Sequence, residues 1–321
     1  MIGSISKIRP CGHHHHYKYA HAKNVNDIKQ VDASYKNDTK DDYDYEFDYC
    51  LDNITNANDM FYPNSYIRKV NIFIPKATTA TAMFRGSSEL ISLKVEAPKL
   101  TSLGTFIYGC TKLTDFEMDT RKITHFAYFG ERAPLKRLNL AMGNANNINN
   151  AFMKNNQGSP ATKFESALPK VIYGNNAFNY LALNETKYPV DVNGNCIWDS
   201  LLPQHVIDGE PQYKYLTLPK LSEGDLMFNV ARLDKESIIS ILNSLPSYTS
   251  GTHKLTIGCH IDHKYDPEVN IAIKKCQNSF TTPIEEIGAT LPEEVTENKG
   301  WTLTVKWAGT ATENAYPAPT V

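Results

Sequence analysis

The sequence predicts an α/β protein built as an elongated stack of short parallel strands. Irregular return segments belong to its N-terminal half, and a β-α-β-α-β continuation forms its C-terminal end. Three observations carry this expectation. A three-point apolar spacing recurs every 22 or 23 residues between positions 67 and 140. A phenylalanine precedes each recurrence by six or seven residues. Beyond residue 230, two segments with helical apolar periodicity are each followed by a strand-like run.

The recurrence reads Ile67, Val70, Ile72, then Leu90, Leu93, Val95, then Leu113, Phe116, Met118, then Leu135, Leu138, Leu140. The preceding anchors are Phe61, Phe84, Phe106 and Phe129. Gly86, Gly109 and Gly130 lie between the two anchors in three of the four units. A fixed period of 20–29 residues is the signature of a solenoid, in which no unit buries its apolar side alone and neighbours share one core. The last two positions of each triplet alternate, as the inward face of a strand requires. The phenylalanine is expected to fill the unit from the return side. The glycine is expected to supply a tight turn with positive φ, and Cys110 follows it as a small buried residue.

The stretches "TAMFRGSSELISLKV" and "LGTFIYGCTKLTDFEM" resemble the BspA-like leucine-rich repeats, whose units run M/A-F-x-G-C-x-x-L-x-x-[IVL]-x-[IVL]. The resemblance covers about residues 57 to 150. It departs at Ser87, where the family has cysteine, and in "FGERAPLKRL", where Glu131 takes that place. It implies a leucine-rich-repeat solenoid with a parallel β-stack, and a binding scaffold whose motif carries no catalytic residues. Repeats of this family occur on bacterial surface proteins and in proteins of their phages. Residues 233 to 307, with "SIISILNSL", "HKLTIG" and "KGWTLTV" in that order, resemble the C-terminal part of repeat proteins encoded by gut bacteria and their prophages.

Five segments follow: 1–55 as an N-terminal cap or anchor, 56–155 as the repeats, 156–212 as an irregular repeat or hairpin insertion, 213–309 as a capping module, and 310–321 as a loose tail. At the end of the second segment, "NNAFMKNN" keeps an anchor at Phe152, so a fifth unit is expected. Asn193-Gly194, flanked by Val190, Val192 and Ile197, signals a hairpin. In the fourth, "YKYLTLP" reads as the first strand. "LDKESIISILNSLP" reads as a helix with Ile238, Ile241, Leu242 and Leu245 on one face, capped by Asp234 and stopped by Pro246. "HKLTIGCH" is a strand. "DPEVNIAIKKCQ" is a helix with Asp266 as cap, Pro267 in its first turn and Val269, Ala272, Ile273 and Cys276 as its stripe. "KGWTLTVKW" is the last strand. These strands are expected to extend the repeat sheet, with helices replacing the irregular returns.

The chain has 321 residues, 21% of them charged, and a net charge of −2. Nothing in that balance implies a nucleic-acid partner. No apolar run reaches the roughly 20 residues of a membrane helix, and the N-terminus lacks the apolar core of a secretory signal. Six cysteines, Cys11, Cys50, Cys110, Cys196, Cys259 and Cys276, show no C-x-x-C spacing and are expected to be free, buried thiols. His13, His14, His15 and His16, near Cys11, His21 and Cys50, are candidate metal ligands by type, yet they lack the paired spacing of a structural site; no cofactor is implied. In "DDYDYEFDY", Tyr43, Tyr45, Phe47 and Tyr49 alternate with acidic residues, as expected of an edge strand that caps or anchors the stack. The motifs of serine hydrolases, zinc proteases and nucleotide-binding loops are absent. His253, His260 and His263 cluster in sequence, but alternation places His253 and His260 on opposite faces.

The sequence therefore leads to a non-enzymatic scaffold for binding or assembly. The first expectation is a phage virion component, whether a tail fibre, a receptor-binding appendage or a head decoration. Its partners would be other virion proteins or a host surface protein or glycan, within a larger complex or a homo-oligomer. The alternatives are a bacterial cell-surface adhesin and a carbohydrate-active enzyme with its site within 156–212.

Overall fold

A computed structural model describes residues 46–51, 53–65, 67–136, 138–153, 163–200, 210–277, 280, 282–287 and 295–308. It is a mixed α/β protein with parallel sheets and few helices. Strands β1 (Glu46–Cys50), β2 (Lys69–Phe73), β3 (Ser92–Glu96) and β4 (Asp115–Met118) form one parallel sheet in that order. Register follows the repeat: Val70 pairs with Leu93 and Leu93 with Phe116, while Ile72 pairs with Val95 and Val95 with Met118. Alternation sends Val70, Ile72, Leu93, Val95 and Met118 into the core, with Phe116 packed at its margin.

Past β4 this line of pairing thins to two bridges, Leu138 to Phe164 and Phe164 to Thr186. Among the described residues of the strand expected at Leu135–Leu140 only Leu138 is bridged, although Leu135, Leu138 and Leu140 are all buried. The Leu138 carbonyl accepts from the Glu165 N–H at 3.0 Å and also from the Ser166 hydroxyl at 3.3 Å. A side chain thus shares an acceptor that a regular ladder would leave to backbone.

A second line of parallel pairing runs along the return segments, through bridges from Asn56 to Thr79, Ser102 to His125, His125 to Asn147, Asn147 to Tyr173, and Tyr173 to Glu223. On this line the anchors contact one another. The N–H of Phe61 donates to Met83 O, Phe84 to Phe106 O, Ile107 to Phe129 O, Gly130 to Ala151 O, Phe152 to Ala177 O and Phe178 to Met227 O. Parallel pairing then makes Phe61, Phe84, Ile107, Gly130, Phe152, Phe178 and Phe228 equivalent. The four expected anchors are therefore not in one register. Phe106 and Phe129 sit one residue earlier, in the column of Met60 and Met83.

Volume explains the shift. Each unit places a pair of residues in these two columns: Met60–Phe61, Met83–Phe84, Phe106–Ile107, Phe129–Gly130, Ala151–Phe152, Ala177–Phe178 and Met227–Phe228. One ring per unit is kept, and the neighbour shrinks or grows to suit, as close packing demands. The rings run in contact from Phe61 to Phe84 at 4.8 Å and Phe84 to Phe106 at 5.6 Å, then by way of Phe116 to Phe129, and on to Phe152 at 6.0 Å, Phe178 at 5.7 Å and Phe228 at 5.3 Å.

The same register corrects two further expectations. Gly86 and Gly109 have φ of +70° and +72°, but Gly130 occupies the phenylalanine column and has no positive φ. The left-handed turn of that unit falls on Arg132, at φ +67°. The column of Cys110 holds Ser87 and Ala133 in the flanking units, not Glu131, because the N–H groups of Ser87, Cys110 and Ala133 donate to Phe84, Ile107 and Gly130 respectively. Cys110 Sγ donates to Phe84 O at 3.0 Å, and Ser87 Oγ lies 3.4 Å from Phe61 O, so both small polar groups are used inside the core.

Asn193-Gly194 makes a tight turn, with Gly194 at φ +78°, and the expected hairpin forms but is held to a single antiparallel bridge, Val190 to Cys196, with Asp191 N donating to Asn195 O at 2.9 Å. Asp191 Oδ1 accepts from the N–H of both Asn193 and Asn195, and the chain enters a 3-10 turn, Ile197–Asp199. Val192 is fully exposed, so no apolar alternation continues the ladder. Strand β5 (Lys187–Val190) pairs antiparallel with β6 (Gln212–Tyr215) instead. That removes residues 213–215 from the C-terminal module. The module's first strand is β7 (Gly224–Leu233), followed by α1 (Lys235–Ser244), β8 (His253–His260), α2 (Pro267–Gln277), the short α3 (Ile284–Ile287) and β9 (Trp301–Ala308). Register shifts along β7 break its period-two pattern, which hides it in the sequence.

Strands β7, β8 and β9 are parallel but form their own three-stranded sheet. They do not extend β1–β4. Strand β7 lies on the return line, against Tyr173–Phe178, and helix α1 lies on the other line, where Ser240 Oγ donates to Leu216 O at 3.0 Å. The module thus puts strands where the repeats have turns, and a helix where they have strands. Asp234 caps α1 by accepting from Ser237 N, and the buried Lys299 donates to Leu242 O and Asn243 O at its other end. One apolar cluster extends from Leu51 to Trp301.

Phe152→Ala is expected to cost about 3–5 kcal/mol, read from urea unfolding. Gly130→Ala should leave stability within about 1 kcal/mol, because its backbone is ordinary and a Cβ meets its nearest atoms at 3.6 Å. Gly109→Ala should cost about 1–2 kcal/mol for its left-handed backbone.

Candidate functional site

The repeat residues selected from the sequence are core, not site. Phe61, Ile67, Phe84, Leu90, Phe106, Leu113 and Phe129 are buried along with the strand positions above. His13, His14, His15, His16, Tyr43 and Tyr45 lie outside the described residues. Phe47 and Tyr49 occupy register positions opposite Val70 and Ile72 on β1. The three C-terminal histidines are not brought together as a site. His253 stacks on Tyr248 at 3.5 Å, with its ring nitrogens 3.0 Å from Ser222 O and 3.2 Å from Ser250 O. His260 Nδ1 accepts from Asp262 N at the other end of β8, 6.1 Å ring to ring from His263. Among the described residues no group of three His, Cys, Asp or Glu side chains is placed to hold a metal ion, and no helix is long and apolar enough to cross a membrane.

Cys110, Cys196, Cys259 and Cys276 are free and buried. Burial pushes the thiol of Cys110 up to about 12, Cys196 to about 11 and Cys276 to about 12, and raises Cys259 as well. A thiol held that far from thiolate is not a nucleophile at neutral pH.

The 156–212 segment gathers one set of ionisable groups. Ala167, Tyr188, Val190, Cys196, Ile197 and Trp198 form a small satellite core. Asp199, at its rim, accepts from the Gly143 N–H at 3.0 Å. A Cβ at 143 would lie 2.5 Å from Asp199 Oδ2, so any other residue there has to displace the carboxylate. Burial raises the Asp199 carboxyl above its ordinary value, against the Gly143 hydrogen bond and the charge of Lys170. Burial likewise raises Tyr188. The cluster favours neutral forms and pins the excursion to the stack.

The described residues include two open surfaces on the repeats. On the return face, Arg85 sits between two tyrosines of the flanking units, 5.2 Å from the Tyr62 ring centroid and 5.3 Å from that of Tyr108. Exposed Tyr128, Tyr173, Tyr180 and Leu226 lie on the same face further along. Tyrosine offers an apolar body with a polar tip, suited to recognition. On the outer side of β2–β4, a cavity of about 410 Å³ is lined by Phe73, Glu96, Pro98 and the ion pairs Lys94–Glu117 at 2.7 Å and Arg121–Asp119 at 2.6 Å. Neither surface stood out in the sequence, because its members are 23 residues apart and become neighbours only through the register. Aligning the units by that period would have brought Tyr62, Arg85 and Tyr108 into one column.

No protein-family model matches the chain, and neither a curated protein nor a solved structure matches it.

Asp199→Asn keeps an acceptor for Gly143 N and removes the buried charge. A raised carboxyl pKa means the fold favours the protonated acid, so Asp199 destabilises the fold as pH rises above the ordinary carboxylate range. The variant should therefore gain in urea midpoint over wild type at pH 7 and lose that advantage at pH 3.

Proposed function

We propose that this chain is a leucine-rich-repeat solenoid that binds and assembles without catalysing a reaction. The observation that carries this reading is the unbroken run of anchor pairs from Met60–Phe61 to Met227–Phe228 inside one apolar cluster. A core shared in this way belongs to stacked repeats, and repeat stacks present long exposed faces for contact. The aromatic and cationic return face is the favoured contact surface. The carbohydrate-active alternative has less support, because Asp199, the half-buried carboxylate among the described residues of this segment, is engaged by the Gly143 N–H at the rim of a packed apolar cluster.

Within that class, the chain is proposed to be a phage virion component, as a tail fibre, receptor-binding appendage or head decoration. The prophage-like C-terminal module supports this placement. The expected anchor segment 1–55 is narrowed because β1 pairs with β2, and the 45 residues ahead of β1 are proposed as the anchor to other virion proteins. Particles purified by density gradient are expected to carry the protein at constant stoichiometry. Recovery only in the bacterial envelope would instead favour a surface adhesin. Removing residues 1–45 should abolish incorporation while leaving the urea transition of the remainder in place; normal incorporation would remove the anchor assignment.

A further inference from the structure

We infer that a lysine ridge along one edge of the stack binds a linear acidic polysaccharide, a polymer carrying a carboxylate on its successive sugars. This rests on the binding role proposed above and names the ligand class of a face not yet described.

The ridge comes from a turn that recurs in seven units, the first with Asn53 ahead of Ile54 N, which donates to Leu51 O, and the next six carrying the ridge. The N–H of Ala77, Leu100, Ile123, Ala145, Val171 and Leu221 each donates to the carbonyl three residues back. The residue just before each donor is Lys76, Lys99, Lys122, Asn144, Lys170 and Lys220. All five lysines are exposed. The units are held in register by hydrogen bonds two residues beyond, including Thr78 N to Thr55 O, Thr124 N to Thr101 O, Ile172 N to Asn146 O and Ser222 N to Ile172 O. Four of the lysines follow a proline, so the pair Pro-Lys recurs at 75–76, 98–99, 169–170 and 219–220. Proline fixes the approach to the corner and needs no N–H partner there.

These lysines differ from the others on the stack. Lys94, Lys112 and Lys136 are paired with Glu117, Glu89 and Asp115. Lys76, Lys122 and Lys170 donate only to neutral acceptors, Asn53 Oδ1, Pro98 O and Asn144 Oδ1. Asp119 and Asp199 feel the charges of Lys122 and Lys170 but form no ion pair with them, Asp119 being held by Arg121 and Asp199 by Gly143 N. Neighbouring units lie about 4.8 Å apart, so the six positions span ~24 Å. That step is shorter than the Debye length of about 8 Å at physiological salt, so the charges act as one field.

Spacing and company choose the polymer. A step near one sugar length suits a polysaccharide in extended form. Beside the first three lysines runs a hydroxyl row, Thr78, Thr101 and Thr124, continued by Asn146 and Ile172, and the Thr78 and Thr124 hydroxyls donate to backbone oxygens at 3.2 Å, leaving lone pairs for sugar hydroxyls. No aromatic side chain interleaves the lysines at these positions, whereas single-stranded nucleic acids are held by stacking on aromatic rings.

The test uses the full chain and polygalacturonate oligomers, with binding followed by calorimetry between roughly 50 and 200 mM salt. Wild type should bind, and more weakly as salt rises. The pair Lys99→Gln with Lys122→Gln should weaken binding roughly 30-fold. The pair Lys112→Gln with Lys136→Gln, equal in charge change but off the ridge, should leave it unchanged. Absence of binding by wild type, or equal loss in both pairs, overturns the ridge. So does a DNA oligonucleotide or polyglutamate that binds more tightly than the polysaccharide. Each of those results leaves the virion and scaffold reading standing, since that is decided by particle composition.

Discussion

Everything in this protein hangs on the packing of one aromatic ring per unit against the ring of the next. No strand–return unit is large enough to close a core, and most strands here have four or five residues. Burial of the phenylalanine column is what makes each unit worth ordering. The way that column tolerates change shows how tightly it is held. When the ring moves one residue earlier in the Phe106 and Phe129 units, its neighbour becomes Ile107 and then Gly130, and the interior stays filled. Conserving volume across two columns, rather than identity in one, keeps the stack continuous.

A stack of this kind must also satisfy its backbone where no regular strand runs. The return segments do so with side-chain amides. Asn58, Asn149 and Asn175 each accept, through Oδ1 at 2.8 Å, the N–H of the following unit, and Asn175 Nδ2 reaches Glu223. The asparagine richness near residues 144–150, which in the sequence resembles a loose connection, belongs to this ladder. Left-handed positions at Asp59, Ala82, Thr105, Tyr128, Asn150, Asn176 and Leu226 recur in register, so each unit repeats the same bend with a different side chain. Hydrogen bonds to the flanking units and the buried ring beside it hold that bend against its local cost.

The C-terminal module closes this arrangement by exchanging roles. Strands β7–β9 take over the return line, and α1 covers the end of the strand line above Leu216 and Leu218. Lys299 ties the module together by donating to the last carbonyls of α1 from the segment that leads into β9. The outer faces of the stack are thereby left to charge and to aromatic side chains. They differ in kind: a tyrosine–arginine face, a strand face of paired charges, and an edge of unpaired lysines.

The period, the buried triplets and both long helices were legible in the amino acids, because apolar spacing and capping residues such as Asp234 and Asp266 act over short distances. Leu90, Leu113 and Leu135 needed no coordinates to be placed inside. Legibility ended where the answer depended on which unit lies against which. The one-residue shift of Phe106 and Phe129, the move of the left-handed turn to Arg132, and the pairing of β5 with β6 are set by hydrogen bonds between residues 20 or more apart. Strand β7 escaped notice because its irregular register breaks the alternation that marks a strand. The surfaces were hidden for the same reason. Tyr62, Arg85 and Tyr108, or Lys76, Lys99 and Lys122, are isolated residues along the chain, and only the stacking distance of parallel strands turns them into a row. Local chemistry determined what each segment is, and tertiary contact decided which segments face each other, since register is a property of pairs and not of any one stretch.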